Sequence, residues 1–77
     1  MAIIVDIELD VLGTKSPILM VIAKKELAKL ASGDVLTLRA NDAGALMDIP
    51  MLLKKTGDTI LESTHDGSIF TIKIEKL

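Results

Sequence analysis

The pattern that most constrains the fold lies near the start of the chain, where strand periodicity gives way to a helix and then returns. Ile3, Val5, Ile7 and Leu9 are apolar, and Asp6, Glu8 and Asp10 occupy the other phase, as expected of a half-buried strand. A helical segment follows, and residues 35–40 again have strand composition. Because a helix between two strands of one sheet returns the second strand in the direction of the first, the sequence predicts a parallel βαβ unit.

The helix of this unit is predicted over residues 17–31. Ser16 would be its N-cap and Pro17 its first residue, where no amide hydrogen is needed, and Gly33 would end it. Five residues at a spacing of three to four are expected to face the sheet: Met20, Ala23, Leu27, Leu30 and Ala31.

Pro50 sets the boundary of the second predicted helix. Proline inside a helix removes a hydrogen bond and clashes with a preceding carbonyl, so it is placed in the first turn. This interpretation makes Asp48 the N-cap of a helix over residues 48–56, ended by Gly57. Residues 41–44 are then predicted to form a turn.

The C-terminal part of the sequence predicts a hairpin of strands 59–64 and 68–75, joined by a turn at His65, Asp66 and Gly67. The predicted order is βαβαββ. We therefore expect an α/β fold over residues 1–77 as a single domain: a two-layer α/β sandwich with two helices on one face of a four-stranded mixed sheet.

Composition excludes several classes of function. The chain has no cysteine and a single histidine, so disulfides, thiolate metal sites and thiol chemistry are excluded, and no metal or cofactor is predicted. Its net charge is −2 and Arg39 is its only arginine, which argues against nucleic acid as a partner. No apolar run approaches the roughly 20 residues that span a bilayer, and no basic leader precedes residue 6. A cytoplasmic protein without membrane partners is expected.

The loop before the first helix resembles the signature of the TusA (SirA-like) sulfur-carrier family. In that family an aspartate, followed three residues later by a glycine, precedes Cys-Pro-x-Pro at the start of the first helix. Asp10, Gly13 and Pro17 match this pattern, whereas Ser16 replaces the cysteine and Leu19 replaces the second proline. Residues 32–34, Asp42, and residues 48–50 and 55–57 also fit the family, so that the resemblance extends over nearly the whole chain.

The resemblance implies a parent activity in which residue 16 relays persulfide sulfur from a desulfurase to acceptor proteins. A thiol at a helix N-terminus is favoured as the thiolate by nearby amides and the helix dipole. The hydroxyl of Ser16 cannot hold sulfur as a persulfide. Either the protein is a naturally cysteine-less member of the family, or it is an active sulfur carrier in which cysteine was changed to serine. The accompanying change at Leu19 favours the natural variant, because replacing the nucleophile alone would leave the second proline in place.

Partner docking is the leading prediction for a chain without the thiol. Ile18 and Ile22 lie four residues apart, on a side of the helix that continues to Lys25 and adjoins position 16. Exposed apolar residues beside lysines are typical of a docking surface. The alternative is that the helix is rotated and these isoleucines belong to the core. Met20, Met47 and Met51 are interpreted as core residues.

Two further functions stay open at this point. Free amides after Ser16 could make the domain a small anion-binding or regulatory module. Alternatively, Ser16 could be a nucleophile, but the only candidate base is His65, which is predicted to be a solvated turn residue. Enzymatic activity is therefore not expected. Asp10 and Gly13 are interpreted as residues that shape the loop around position 16.

Overall fold

The computed structural model describes residues 5–77, and Ile3 of the predicted first strand lies outside them. The element order is βαβαββ, as predicted. The elements are β1 Asp6–Asp10, α1 Ile18–Ala28, β2 Val35–Ala40, α2 Ala43–Thr56, β3 Thr59–Asp66 and β4 Ile69–Glu75.

The four strands form one mixed sheet in the order β1-β2-β4-β3. β1 and β2 are parallel, with Asp6 opposite Val35 and Asp10 opposite Arg39. β4 is antiparallel to both of its neighbours, β2 and β3. The predicted parallel βαβ unit and C-terminal hairpin are thus confirmed, and together with the two helices they make a two-layer α/β sandwich.

The core lies between the helices and one face of the sheet. In the register, Leu36 is opposite Ile74 and Leu38 is opposite Ile72, and all four side chains are almost completely buried. The helices contribute a matching set of buried residues: Leu19, Ala23 and Leu27 from α1 and Ala45, Ile49 and Leu53 from α2. Alternate strand positions on the other sheet face are more polar, and neither helix covers that face.

Helix α1 differs from the prediction at both ends and in its orientation. It begins at Ile18 rather than Pro17 and ends at Ala28 rather than residue 31. Pro17 is the N-cap and no side chain caps the helix, so Ser16 is not an N-cap. Ala23 and Leu27 are buried as predicted, but Leu19, four residues before Ala23, completes this buried row, and Met20 packs only partly against the core.

Two other residues of that predicted face behave differently from each other. Leu30 is buried as expected, although it lies beyond the end of α1, whereas Ala31 is exposed. Gly33 does not end the helix, because Lys29 is its C-cap. Gly33 instead adopts a left-handed conformation with φ +89° in the turn before β2.

Helix α2 starts five residues earlier than predicted, at Ala43, with Asp42 as its N-cap instead of Asp48. Pro50 therefore lies inside the helix. Its side chain is exposed, so the missing hydrogen bond falls on the solvent side, while Ala45 and Ile49 anchor the opposite side in the core. Residues 41–44 are consequently not a turn. Gly57 ends the helix in a left-handed conformation, as predicted.

The hairpin turn is shorter than predicted. His65 and Asp66 are the last residues of β3 and pair with Phe70 and Ile69, which leaves Gly67 and Ser68 to form a two-residue turn. His65 is therefore an exposed strand residue and not a turn residue. Glycine at the first turn position, with φ +62°, suits the tight primed turns of such hairpins.

Candidate functional site

The predicted site lies where two loops meet at the carboxyl ends of the parallel strands. The loop between β1 and α1 carries Ser16, and the short connection between β2 and α2 carries Asn41 and Asp42. Because neighbouring parallel strands end at the same edge of a sheet, these loops are adjacent. Side chains of the second loop hold the backbone of the first.

Two side chains fix the middle of the β1–α1 loop. The amide of Leu12 donates a hydrogen bond to Oδ1 of Asp10 over 3.0 Å, and the amide of Gly13 donates to Oδ1 of Asn41 over 2.9 Å. Gly13 has φ +82°, a conformation that residues with a side chain rarely adopt. Asp10 and Gly13 thus shape the loop, whereas Asn41 is a contributor that the sequence analysis did not identify.

Asp42 connects the β1–α1 loop to the start of α2. Its Oδ2 accepts a hydrogen bond of 2.7 Å from the amide of Ser16, and its Oδ1 accepts one of 3.3 Å from the amide of Gly44 in the first turn of α2. One carboxylate therefore caps α2 and holds the residue at which the family's cysteine is expected. Its match to the family pattern was the only sequence signal for this role.

Ser16 is inside this framework, not open to solvent. The residue is half-buried, and its hydroxyl oxygen is buried with no hydrogen-bond partner among residues 5–77. The peptide bond between Ser16 and Pro17 is cis. Because the Ser16 amide is bound to Asp42 and α1 starts two residues later, position 16 lacks the free, amide-rich surroundings that the sequence predicted.

The hydrogen bond from the Ser16 amide holds the pKa of Asp42 below its ordinary value of 3.8. Partial burial of the carboxylate opposes this shift, and the Gly44 amide, the nearby hydroxyl of Ser16 and the charge of Lys15 reinforce it. The carboxylate is therefore ionised at neutral pH. It places a negative charge beside residue 16.

We expect removal of this carboxylate to have a pH-dependent effect on stability. Since the pKa of Asp42 is lowered in the folded protein, its contribution is present above the unfolded value of about 3.8 and is lost as the pH falls through the folded value. Asp42→Ala should therefore unfold at lower denaturant concentration than wild type at pH 7, and the difference should shrink in strong acid. Urea denaturation at pH 7 and in strong acid measures this difference in stability. Asp42→Asn, which retains an acceptor oxygen, is the control. An equal difference at both pH values would contradict the assignment.

The residues predicted to dock a partner differ in their exposure to solvent. Ile18 is 63% exposed and Lys25 is exposed, whereas Ile22 is half-buried and packs against the core. Val21, which the sequence analysis missed, is 56% exposed and lies between Ile18 and Lys25 at helical spacing. We call Ile18, Val21 and Lys25 the helix-entry surface.

The methionines of α2 do not fill the core. Met47 and Met51 are 73% and 64% exposed, contrary to the prediction, and only Met20 of α1 packs partly against the core. Met47 and Met51 lie four residues apart and hence on one side of α2. The earlier start of α2, and the burial of Ala45 and Ile49, turn this side outward.

Other reactive groups do not join the site. His65 lies on β3, at the opposite edge of the sheet from β1, and makes no hydrogen bond to the Ser16 hydroxyl. Within residues 5–77 no three His, Asp or Glu side chains are grouped closely enough to hold a metal ion. In the same part of the chain, neither helix has the length and apolar character needed to cross a membrane.

Comparison with known proteins agrees with this architecture. The profile of the family described as Sulfurtransferase TusA matches residues 7–76. The sulfur carrier protein TusA of Allochromatium vinosum is 38% identical over 71 residues, which cover 92% of this chain and 93% of that protein. A relative in Neisseria meningitidis serogroup A that is named as a sulfur carrier protein is 39% identical over 67 residues, covering 87% of this chain and 90% of the relative.

A solved structure shows the same fold. The SirA-like protein of Desulfitobacterium hafniense superimposes with a TM-score of 0.78 at 27% identity, covering 90% of this chain and 95% of that one. The shared fold and the matching relatives assign this domain to the class of small sulfur-carrier-family proteins. The chain belongs to the TusA family, as the resemblance of its loop predicted.

Proposed function

We propose that this protein is a cysteine-less member of the sulfur-relay family that acts in the cytoplasm by docking protein partners around the N-terminus of α1, without persulfide transfer. One observation carries the proposal. The backbone of residue 16, where the family pattern has its cysteine, is held by Asp42, while Ile18 next to it is largely exposed. This combination supports a recognition surface at a position that lacks the reactive atom.

The exposure of the helix-entry surface supports docking. Ile18 and Val21 leave more than half of their surface in water, although the small core of a 77-residue chain would gain from burying them. Apolar residues of this kind, close to a lysine, suit an interface with an apolar centre and a charged rim. By family resemblance, a desulfurase or a sulfur-acceptor protein is the expected type of partner.

Incubation with a persulfide donor directly tests the claim that the protein does not transfer persulfide sulfur. We expect wild-type protein incubated with a persulfide donor to keep its mass, because no atom of the chain can carry the sulfur. An increase of about 32 Da, one sulfur atom, that is then transferred to an acceptor would refute it.

Docking can be tested with a cysteine desulfurase from the same organism as the probe. We expect Ile18→Asp to weaken binding by about tenfold or more, since a charge would be placed in the centre of the apolar contact. Leu61→Asp is the matched control, because Leu61 is 49% exposed on β3, away from α1, and this change should alter affinity less than about twofold. Isothermal titration calorimetry measures both. Equal losses, or no binding of the wild type, would contradict the docking role.

The alternative of an active carrier in which cysteine was replaced is tested by reading codon 16 of the natural gene. A serine codon supports the cysteine-less member, and a cysteine codon would replace this proposal with the carrier function. The anion-binding alternative, which needs free amides after Ser16, finds less support, because the amides of Leu19 and Met20 already donate to the carbonyls of Lys15 and Pro17. Sulfate should therefore cause no chemical-shift change around Ser16.

A further inference from the structure

The sheet face that no helix covers carries more than half of the acidic residues of the chain. Strand register places Glu8, Thr37, Lys73 and Glu62 in one row across all four strands. The adjacent rows on this face contribute further acidic residues. All six carboxylates of the strands lie here, namely Asp6, Glu8, Asp10, Glu62, Asp66 and Glu75, against the two cations Arg39 and Lys73, which gives a net charge of −4. The whole chain has a net charge of only −2.

This face is also concave. A depression of about 240 Å³ is bordered by Asp6 and Glu8 of β1 and by Glu62 of β3, with Thr37 and Lys73 between them. No aliphatic residue lines it. The hydroxyl of Thr37 donates to Oδ1 of Asp6 over 3.2 Å, which orients that carboxylate. Within residues 5–77, none of these acidic side chains forms an ion pair with a lysine or arginine.

We propose that this uncovered face binds a cationic segment of a partner protein, with a lysine or arginine side chain seated in the depression between Asp6, Glu8 and Glu62. The three carboxylates outnumber the single ammonium of Lys73 in the depression, so its charge is complementary to such a side chain, which would supply the ion pairs that residues 5–77 do not make with these carboxylates. Nucleic acid and anionic membranes are repelled by this face, and so is the same face of a second copy. A partner bound here leaves the helix-entry surface free, so the domain could hold two proteins on opposite sides.

The test uses full-length protein and a synthetic arginine-rich peptide as the probe, followed by amide chemical shifts. We expect shift changes at Glu8, Thr37 and Lys73 and none at Ile18. The double variant Glu8→Gln with Glu62→Gln should weaken peptide binding by about tenfold or more at low salt. Dispersed amide spectra of this variant establish that it is folded, since both side chains are exposed.

A matched double variant separates a site from general attraction between opposite charges. Glu26→Gln with Asp48→Asn changes the net charge by the same amount on the two helices, and should alter peptide affinity less than about twofold. Equal weakening by both double variants, no binding of the peptide, or shift changes confined to α1 would overturn the proposal. Concentration-dependent dimerisation in sedimentation, abolished by the sheet variants, would also overturn it in favour of contacts between copies. None of these results depends on whether Ile18→Asp weakens binding of the desulfurase.

Discussion

Ser16→Cys is expected to convert this protein from one that accepts no sulfur into one that gains about 32 Da from a persulfide donor. The physical reason is that the backbone of the loop around position 16 is held in place by other residues. Asp10, Asn41 and Asp42 hold the loop through backbone amides, and none of these bonds uses the side chain of residue 16. A thiol can therefore be introduced without removing a hydrogen bond that holds the loop. Intact-protein mass spectrometry after incubation with the donor measures the gain.

The carboxylate of Asp42, next to residue 16, provides an internal control for this experiment. A negative charge beside residue 16 disfavours the thiolate, so adding Asp42→Asn to Ser16→Cys should lower the thiol pKa and speed alkylation by iodoacetamide at neutral pH. Asparagine keeps an oxygen that can accept the Ser16 amide hydrogen, so the loop should stay in place. Ser16→Ala should gain no mass. A Ser16→Cys protein that is alkylated normally but takes up no sulfur would contradict the idea that the framework supports carrier chemistry.

Leu19→Ala should lower the free energy of unfolding by about 2–5 kcal/mol, much of the stability of a domain of this size. Leu19 occupies the position of the family's second proline, yet its side chain is completely buried in the core. Truncation would leave a cavity under the site loop, between α1 and the sheet. Urea denaturation followed by circular dichroism gives the change.

Val21→Ala is the matched control on the same helix. Val21 is 56% exposed, and alanine has the higher helix propensity, so the change should be within about 0.5 kcal/mol of wild type. Similar losses for both variants would mean that Leu19 does not anchor the helix as described. Leucine at position 19 is thus a core residue at the place where the family pattern has its second proline.

The boundaries that the sequence predicted wrongly share a physical cause. Proline is unfavourable inside a helix, which places Pro50 in the first turn of a helix capped by Asp48, but the cap at Asp42 and the burial of Ala45 and Ile49 outweigh that local preference. Likewise, Ser16 has the residue type of an N-cap, but a carboxylate 26 residues further along the chain binds its amide. Local propensity could not predict either result, because in both cases a tertiary contact outweighs the preference of the residue itself.

The sequence by itself determined the order of the elements, the parallel βαβ unit and the family, since these follow from hydrophobic period and from short motifs. Only the tertiary structure decided what surrounds position 16, because Asn41 and Asp42 reach that loop from a separate connection. It also decided which apolar residues of α1 face water and brought the acidic residues of separate strands onto one face. Both depend on helix rotation and strand register, which are set by packing between distant segments.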